Sequence, residues 1–177
     1  MKKRRGIICV LFLTLLISGC QKTTAANESE LNSQVKAQKD KELKTARKVE
    51  AYLNSKGKSC ILREETSEQK ARSNHYTDVE KIPKDVECII VIGGDGTLLQ
   101  AARDVVNRQI PLLGINMGTL GYLAEIDRSS IDGALNHLML DEYTIEKRMM
   151  LNGKVYHKEE LIAEDVALND IVIGRDG

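Results

Sequence analysis

One stretch constrains the fold more than any other, because an apolar run ends there in a glycine-rich segment and then changes to a helical pattern. The stretch is Val86 to Gln100, V-E-C-I-I-V-I-G-G-D-G-T-L-L-Q. Cys88 to Ile92 is continuously apolar and mostly β-branched, which is typical of a strand buried on both faces of a parallel sheet. The sequence therefore predicts a central strand, a loop and a helix in succession.

The loop after this strand has the composition of a phosphate cradle. Gly93, Gly94 and Gly96 carry no Cβ, so a phosphate could approach the backbone amides closely. Thr97 and Gln100 have the spacing of a capping box, which predicts that Thr97 caps a helix whose free N–H groups face the loop. Such a helix end attracts anions.

Asp95 is the one acidic residue in this loop, and a carboxylate repels phosphate. Its placement is explained if it binds Mg²⁺ or accepts a proton from a nucleophile, and a helix N-terminus nearby favours negative charge. Asp-Gly-Thr is also ordinary turn and cap chemistry. The loop by itself leaves both interpretations open.

Three motifs together resemble the NAD kinase family. Gly-Gly-Asp-Gly-Thr (93–97) is similar to a signature shared by NAD kinases and by diacylglycerol, sphingosine and phosphofructo-kinases. Asn116 to Leu123, N-M-G-T-L-G-Y-L, is similar to the NAD kinase motif N-x-G-x-L-G-[FY]-L, and Leu168-Asn169-Asp170 is similar to its Asn-Glu/Asp motif. The lipid kinases share only the first motif, so a lipid kinase is the weaker interpretation.

The resemblance covers roughly 40–177 and implies an α/β N-terminal domain with a mostly parallel sheet, followed by the start of an antiparallel all-β domain. It implies that NAD lies between the domains and that ATP, with Mg²⁺, phosphorylates the 2′-hydroxyl of the adenosine ribose to give NADP. NAD and ATP are the expected partners, in a cytoplasmic protein that is a homo-oligomer in the family. A lipid-anchored nucleotide-binding protein without turnover is the rival interpretation.

The resemblance also implies site residues. Asp95 would be the base beside the 2′-hydroxyl. The implied ligand-binding residues are Gly94, Gly96 and Thr97 at phosphate or ribose, Tyr122 and Leu123 at adenosine, and Asn169 and Asp170 at the nucleoside. From the residues alone, Tyr122 could equally be a core residue and Asn169-Asp170 a turn at a strand edge.

Composition restricts the partners. The 26 Lys and Arg residues balance the 26 Asp and Glu residues, and aromatic residues are scarce, so a nucleic-acid surface is not expected. The four cysteines have neither the spacing of a metal site nor that of a disulfide framework. Cys88, at the start of the apolar run, is expected to be a small buried residue.

The N-terminus has the pattern of a secretion signal. Basic residues precede an apolar stretch that ends at Ile17-Ser18-Gly19-Cys20, similar to a bacterial lipobox with Cys20 as the lipidated residue. We predict a leader over 1–20, a polar tether over 21–39, the α/β domain over 40–142 and part of a β domain over 143–177. A genuine leader would anchor the protein to a membrane, in conflict with cytoplasmic chemistry.

Periodicity and turn residues predict the remaining elements. They are helices over Asp40 to Lys56, Leu98 to Val106 and Ile131 to Leu140, strands over Lys58 to Arg63 and Ile110 to Ile115, and a hairpin turning at Asn152-Gly153. Two family features are missing from the sequence: the strand before the first helix and the T-x-Y-x-x-S-x-G-G segment. We therefore expect an incomplete NAD site and an unpaired sheet edge.

Overall fold

A computed structural model describes residues 25–62, 79–118 and 121–174 of the chain, with side chains from Lys36 onward within those ranges. Cys20 and the leader lie outside the described residues. The regular elements are α1 (Ala25–Ser55), β1 (Ile89–Gly93), α2 (Asp95–Asp104), β2 (Leu112–Asn116), α3 (Ile131–Met139), β3 (Leu151–His157) and β4 (Glu160–Ala167). Two 3₁₀ turns, Val79–Lys81 and Val106–Arg108, precede β1 and follow α2.

The first sheet is parallel, as predicted. β1 pairs with β2 in register from Ile89 opposite Leu112 to Gly93 opposite Asn116. An isolated parallel bridge joins Ile115 to Ile126 on the other side of β2. Among the described residues β2 therefore lies between two neighbours, whereas β1 pairs on one side only, and the central position of β1 stays a prediction.

β1 is nevertheless buried on both faces, which explains its uninterrupted apolar sequence. All five of its residues are buried. Ile90 and Ile92 pack in a cluster with α1 and α3, whereas Ile89 and Val91 pack in a second cluster with Leu98 of α2. Helices can bury both faces of a strand without a neighbouring strand on each side. The apolar sequence of β1 therefore indicates only that its two faces are buried.

The predicted amphipathic helix at Asp40 is confirmed, but α1 begins earlier, at Ala25. Within the predicted range, the buried apolar residues of α1 are Ala46, Val49 and Leu53. The segment predicted as a tether (21–39) is thus helical from Ala25 onward. Its Ala, Glu, Gln and Lys residues are strong helix formers, and a helix needs no large apolar residues to continue from a packed one.

The strand predicted at Lys58 to Arg63 is not formed over its described part, which ends at Leu62 and has no regular structure. Cys60 and Leu62 pack against the cluster of α1 and α3, and Ile61 packs against the other cluster. The apolar pattern therefore reflects packing without strand pairing.

The second sheet is the antiparallel hairpin of β3 and β4, with Leu151 opposite Ala167 and His157 opposite Glu160. Lys158, at φ 56°, lies in the turn. Asn152 and Gly153 lie inside β3, so the predicted hairpin turn is in the wrong place. The parallel sheet with helices followed by an antiparallel sheet confirms the predicted fold class.

Two further features of the described residues bear on the sequence predictions. Burial raises the pKa of the Cys88 thiol to about 12, so Cys88 is a neutral buried residue, as predicted. Within the described ranges the structure contains no helix long and apolar enough to cross a membrane.

Arg108 joins the turn after α2 to the turn before β1. Its guanidinium donates to the carbonyls of Val79 (2.9 Å), Ile82 (3.1 Å from each terminal nitrogen) and Pro83 (2.9 Å). Arg108→Lys should lower the free energy of unfolding by about 2 kcal/mol, because one ammonium cannot replace this fork of donors. Urea denaturation measures the change, and Arg128→Lys at an exposed position is the control. Equal losses in both variants would contradict the assignment.

Glu42 of α1 gives the protein an expected pH dependence. Its side chain is buried, Oε1 accepts from Gln38 Nε2 at 2.8 Å, and Oε2 has no hydrogen-bond partner within the described residues. Burial raises the pKa of Glu42, so the folded state holds this proton to higher pH than the unfolded state does. The neutral Glu42 carboxyl therefore contributes its full stability below the pKa that Glu42 has in the unfolded state. That stability is lost as pH rises through the pKa that Glu42 has in the folded state.

Glu42→Gln should therefore stabilise the protein at pH 7, on the order of 1 kcal/mol, because the variant buries no charge. At pH 4 the variant and the parent should unfold at nearly the same urea concentration. The exposed Glu125→Gln controls for a general change in net charge. A stability difference that is the same at both pH values would rule out ionisation of Glu42 as its cause.

Candidate functional site

The ends of β1 and β2 bring two of the sequence motifs to the same sheet edge. Gly93 lies opposite Asn116, and the N–H of Met117 donates to the carbonyl of Gly93 at 3.0 Å. Asn116 Oδ1 accepts from the N–H of Gly118 at 2.9 Å, which turns the chain away from the sheet. The carboxyl ends of parallel strands are where open α/β sheets bind ligands.

α2 begins at Asp95, three residues before the predicted start at Leu98, with Gly94 as its N-cap residue and no side chain capping it. Thr97 is therefore the third helical residue, and the predicted capping box is wrong. The Thr97 side chain is buried against Gly93: a Cβ on Gly93 would lie 2.8 Å from Thr97 Cβ and 3.0 Å from its Cγ2. Contact with Gly93, and not a cap, thus places Thr97.

Gly94 is a glycine without a structural need in the described fold. Its φ of −109° and ψ of −173° are accessible to any residue, and a Cβ built on it would meet nothing within 4 Å. Gly94 is exposed at the N-terminus of α2. A missing side chain here leaves room for a molecule to approach the backbone N–H groups of the first helical turn.

Asp95 accepts hydrogen bonds from the second loop. Its Oδ2 accepts from the N–H of Tyr122 at 2.8 Å, and its Oδ1 accepts from the N–H groups of Leu123 at 3.2 Å and Ala124 at 3.4 Å. The carboxylate is partly exposed. The first residue of α2 and the segment after Gly121 are therefore joined directly.

Tyr122 and Leu123 point to different environments. The Tyr122 side chain is 97 % exposed, so the alternative that it is a core residue is wrong. Leu123 is partly buried and packs against the cluster that contains Leu98. The loop thus exposes the Tyr122 ring to solvent, whereas Leu123 anchors the loop by packing against the core cluster.

The third motif lines an open cavity of about 570 Å³ that lies between α2 on one side and β3, β4 and the segment after β4 on the other. Gly96, Leu99 and Gln100 line it on the helix side, and Asn169 and Asp170 line it on the other side. The predicted residues Gly96, Asn169 and Asp170 therefore share one cavity. The lining does not include Asp95, Tyr122 or Leu123, which form a second group at the sheet edge.

A row of polar side chains crosses the helix side of this cavity. Gln100 Nε2 donates to Asp104 Oδ1 at 2.8 Å, and Arg103 lies 3.4 Å from Gln100 Oε1. Arg103 also forms an ion pair with Asp165 of β4. Neither residue of this pair was predicted from the sequence, since an ion pair between residues 62 positions apart leaves no local pattern.

The described residues do not form a metal site of their own. They contain no group of three or more His, Cys, Asp or Glu side chains that could hold an ion. Both oxygens of Asp95 already accept backbone N–H groups.

Comparison with known proteins agrees with the first two motifs, which lie within the match to a family model. Residues 16–143 match the family model described as the ATP-NAD kinase N-terminal domain. The NAD kinase of Lachnospira eligens is 45% identical over 139 residues, covering 78% of this chain and 47% of the relative. The NAD kinase of Lachnoclostridium phytofermentans is 43% identical over 141 residues, covering 78% and 48%.

The fold also matches a solved structure, yeast NADH kinase complexed with NADH, with a TM-score of 0.54 and 17% sequence identity. That match covers 93% of this chain and 48% of the yeast chain. The chain spans about half the length of the curated relatives it matches. On the family match over most of its length, the chain belongs to the NAD kinase family.

Proposed function

We propose that this chain binds NAD and ATP and transfers the γ-phosphate of ATP to the 2′-hydroxyl of the adenosine ribose of NAD, forming NADP. The observation that carries the proposal is the joining of the first two motifs, since Asp95 binds the loop that presents Tyr122. The relatives named NAD kinase support the same activity. Phosphoryl transfer requires mainly positioning, neutralisation of charge and one base.

In this proposal Asp95 is the base. Oδ2 accepts only one of the three N–H groups, so it retains a lone pair for the 2′-hydroxyl proton. The hydroxyl oxygen forms a bond to the γ-phosphorus as the bond to the bridging oxygen breaks and ADP leaves. Asp95 then returns the proton to water.

The backbone at the start of α2 would stabilise phosphate. Because Gly94 has no side chain, a phosphate can approach the backbone N–H groups there. Gly96, in the first helical turn, lines the cavity. The free N–H groups there have the positive end of the helix dipole behind them. Thr97 would contribute by packing its buried side chain against Gly93, which holds the backbone of the loop in place.

Tyr122, Leu123, Asn169 and Asp170 would bind the nucleoside. The exposed ring of Tyr122 offers a face for adenine, with Leu123 packed behind the loop. Asn169 and Asp170 offer an amide and a carboxylate to ribose hydroxyls from the far side of the cavity. ATP would enter as its Mg²⁺ complex, with the phosphates holding the ion.

We place this activity in the cytoplasm, where ATP and NAD are available, with a homo-oligomer as the working form. A membrane anchor through lipidated Cys20 is the alternative location. Mass spectrometry of the mature protein distinguishes the two, because an anchored chain would begin at a lipid-modified Cys20.

The direct test is NADP formation by the full 177-residue chain given NAD, ATP and Mg²⁺, read with an NADP-specific dehydrogenase. NADP that accumulates in proportion to protein and only with ATP supports the proposal. A folded chain that binds NAD by calorimetry and forms no NADP would show nucleotide binding without turnover. Phosphorylation of diacylglycerol in place of NAD would assign the chain to lipid kinase chemistry.

A further inference from the structure

The Asp95 carboxylate is surrounded by backbone donors in the structure as it stands, with no ligand required. Three successive N–H groups, those of Tyr122, Leu123 and Ala124, point at its two oxygens at 2.8 to 3.4 Å. Hydrogen bonds to a charged acceptor are stronger than neutral ones. This is a larger set of backbone contacts than proton transfer to a base requires.

Gly121 provides an independent observation of the same contact. A Cβ built on Gly121 would overlap the Asp95 carboxyl carbon and both of its oxygens. Glycine at this position is explained by the space that the carboxylate occupies.

We infer that Asp95 is a positioning residue for the second loop as well as the proposed base, and that nucleoside binding depends on it before any proton moves. Its carboxylate fixes the backbone of residues 121–124 and so holds the Tyr122 ring where it faces solvent at the sheet edge. The inference relies on the proposed function for the identity of the ligand, but the fixing of the loop does not.

The two possible roles of Asp95, as a base only or as a base that also positions the loop, lead to different expected results. Loss of a base slows phosphoryl transfer and leaves NAD affinity and loop order unchanged. Loss of the positioning contact loosens the loop in the free protein and weakens NAD binding without ATP. Gly121→Ala separates the two roles further, because it displaces the carboxylate and keeps its chemistry.

The first experiment is amide hydrogen exchange on the full chain without ligand, for the parent, Asp95→Asn, Asp95→Ala and Gly121→Ala. In Asp95→Ala and Gly121→Ala, exchange at 122–124 should become about tenfold faster or more, as expected for lost hydrogen bonds to a charged acceptor. Asp95→Asn should show a smaller increase, since its amide oxygen still accepts. Protection in β1 reports that each variant is folded, and Asp132→Asn, at an exposed position on α3, is the control.

The second experiment measures the Kd of NAD by calorimetry without ATP, and kcat separately. Weaker NAD binding in Asp95→Ala and Gly121→Ala, in step with loop exchange, supports positioning. Unchanged exchange at 122–124 in folded variants, with kcat alone reduced, would overturn it. If the parent binds no NAD, the proposed function fails, and the exchange result still decides whether Asp95 fixes the loop.

Discussion

Asp95→Asn should reduce kcat for NADP formation on the order of a hundred- to ten-thousand-fold, the range that a positioned general base contributes. Asparagine keeps the size of the side chain and one acceptor oxygen, but it cannot take a proton from the ribose hydroxyl. The side chain should therefore still fit beside Gly121, where a larger residue would not. Most of the loss should lie in kcat, with a smaller effect on KM.

Steady-state kinetics with NAD and with Mg-ATP as the varied substrates measure this effect. Asp132→Asn is the matched control, since it removes the same charge from an exposed position whose partner is Lys48 of α1. The control should retain the kcat of the parent. A kcat of Asp95→Asn within about threefold of the parent would exclude a base role, which is worth at least a hundredfold.

The sequence predicted the α/β unit well because its determinants are local and repeated. The apolar run at Cys88 to Ile92 and the helical spacing in α1 each report burial directly. Each of the two parallel strands ends in a motif loop, and the pairing of Gly93 with Asn116 brings those loops to one sheet edge. Strand number was not predictable in the same way, since burial by helices resembles burial by strands.

Errors arose where a local rule competed with packing. Thr97 has the spacing to Gln100 that is typical of a capping residue, but its side chain packs against Gly93 and the helix begins at Asp95. The Asn152-Gly153 pair has the sequence of a hairpin turn, yet Asn152 donates to Glu164 at 3.0 Å from within β3. A cross-strand contact there replaces the turn that the dipeptide favours.

The contacts that complete the candidate site were beyond the sequence for a different reason. Asp95 and Tyr122 lie 27 positions apart, and Arg103 and Asp165 lie 62 apart. No periodicity relates such pairs, because each depends on how α2 is placed against another element. The motifs predicted individual site residues, whereas the structure shows that a Cβ on Gly121 would overlap the Asp95 carboxylate.

Gly93→Ala should be the most destabilising of the glycine substitutions in the first motif, costing about 3 kcal/mol. Its new methyl group would lie 2.8 Å from Thr97 Cβ, inside van der Waals contact, on a buried residue paired with Asn116. Thr97→Ala in the same chain removes Cγ2 and the hydroxyl and should recover part of the loss. Urea denaturation of both single variants and the double variant measures this coupling. Additive losses would contradict contact between the two side chains.

Gly94→Ala, one residue later, should have the opposite profile. Its Cβ meets nothing within 4 Å and its backbone is extended, so the free energy of unfolding should change by no more than about 0.5 kcal/mol. The same methyl group would stand in the approach to the α2 amides, and we expect KM for the nucleotide that binds there to rise about tenfold, since a misplaced phosphate loses charge-assisted hydrogen bonds. A stable variant with unchanged KM for both NAD and ATP would show that no phosphate approaches Gly94. A stable variant with raised KM would show that glycine at 94 leaves space for the ligand, whereas glycine at 93 leaves space for the Thr97 side chain.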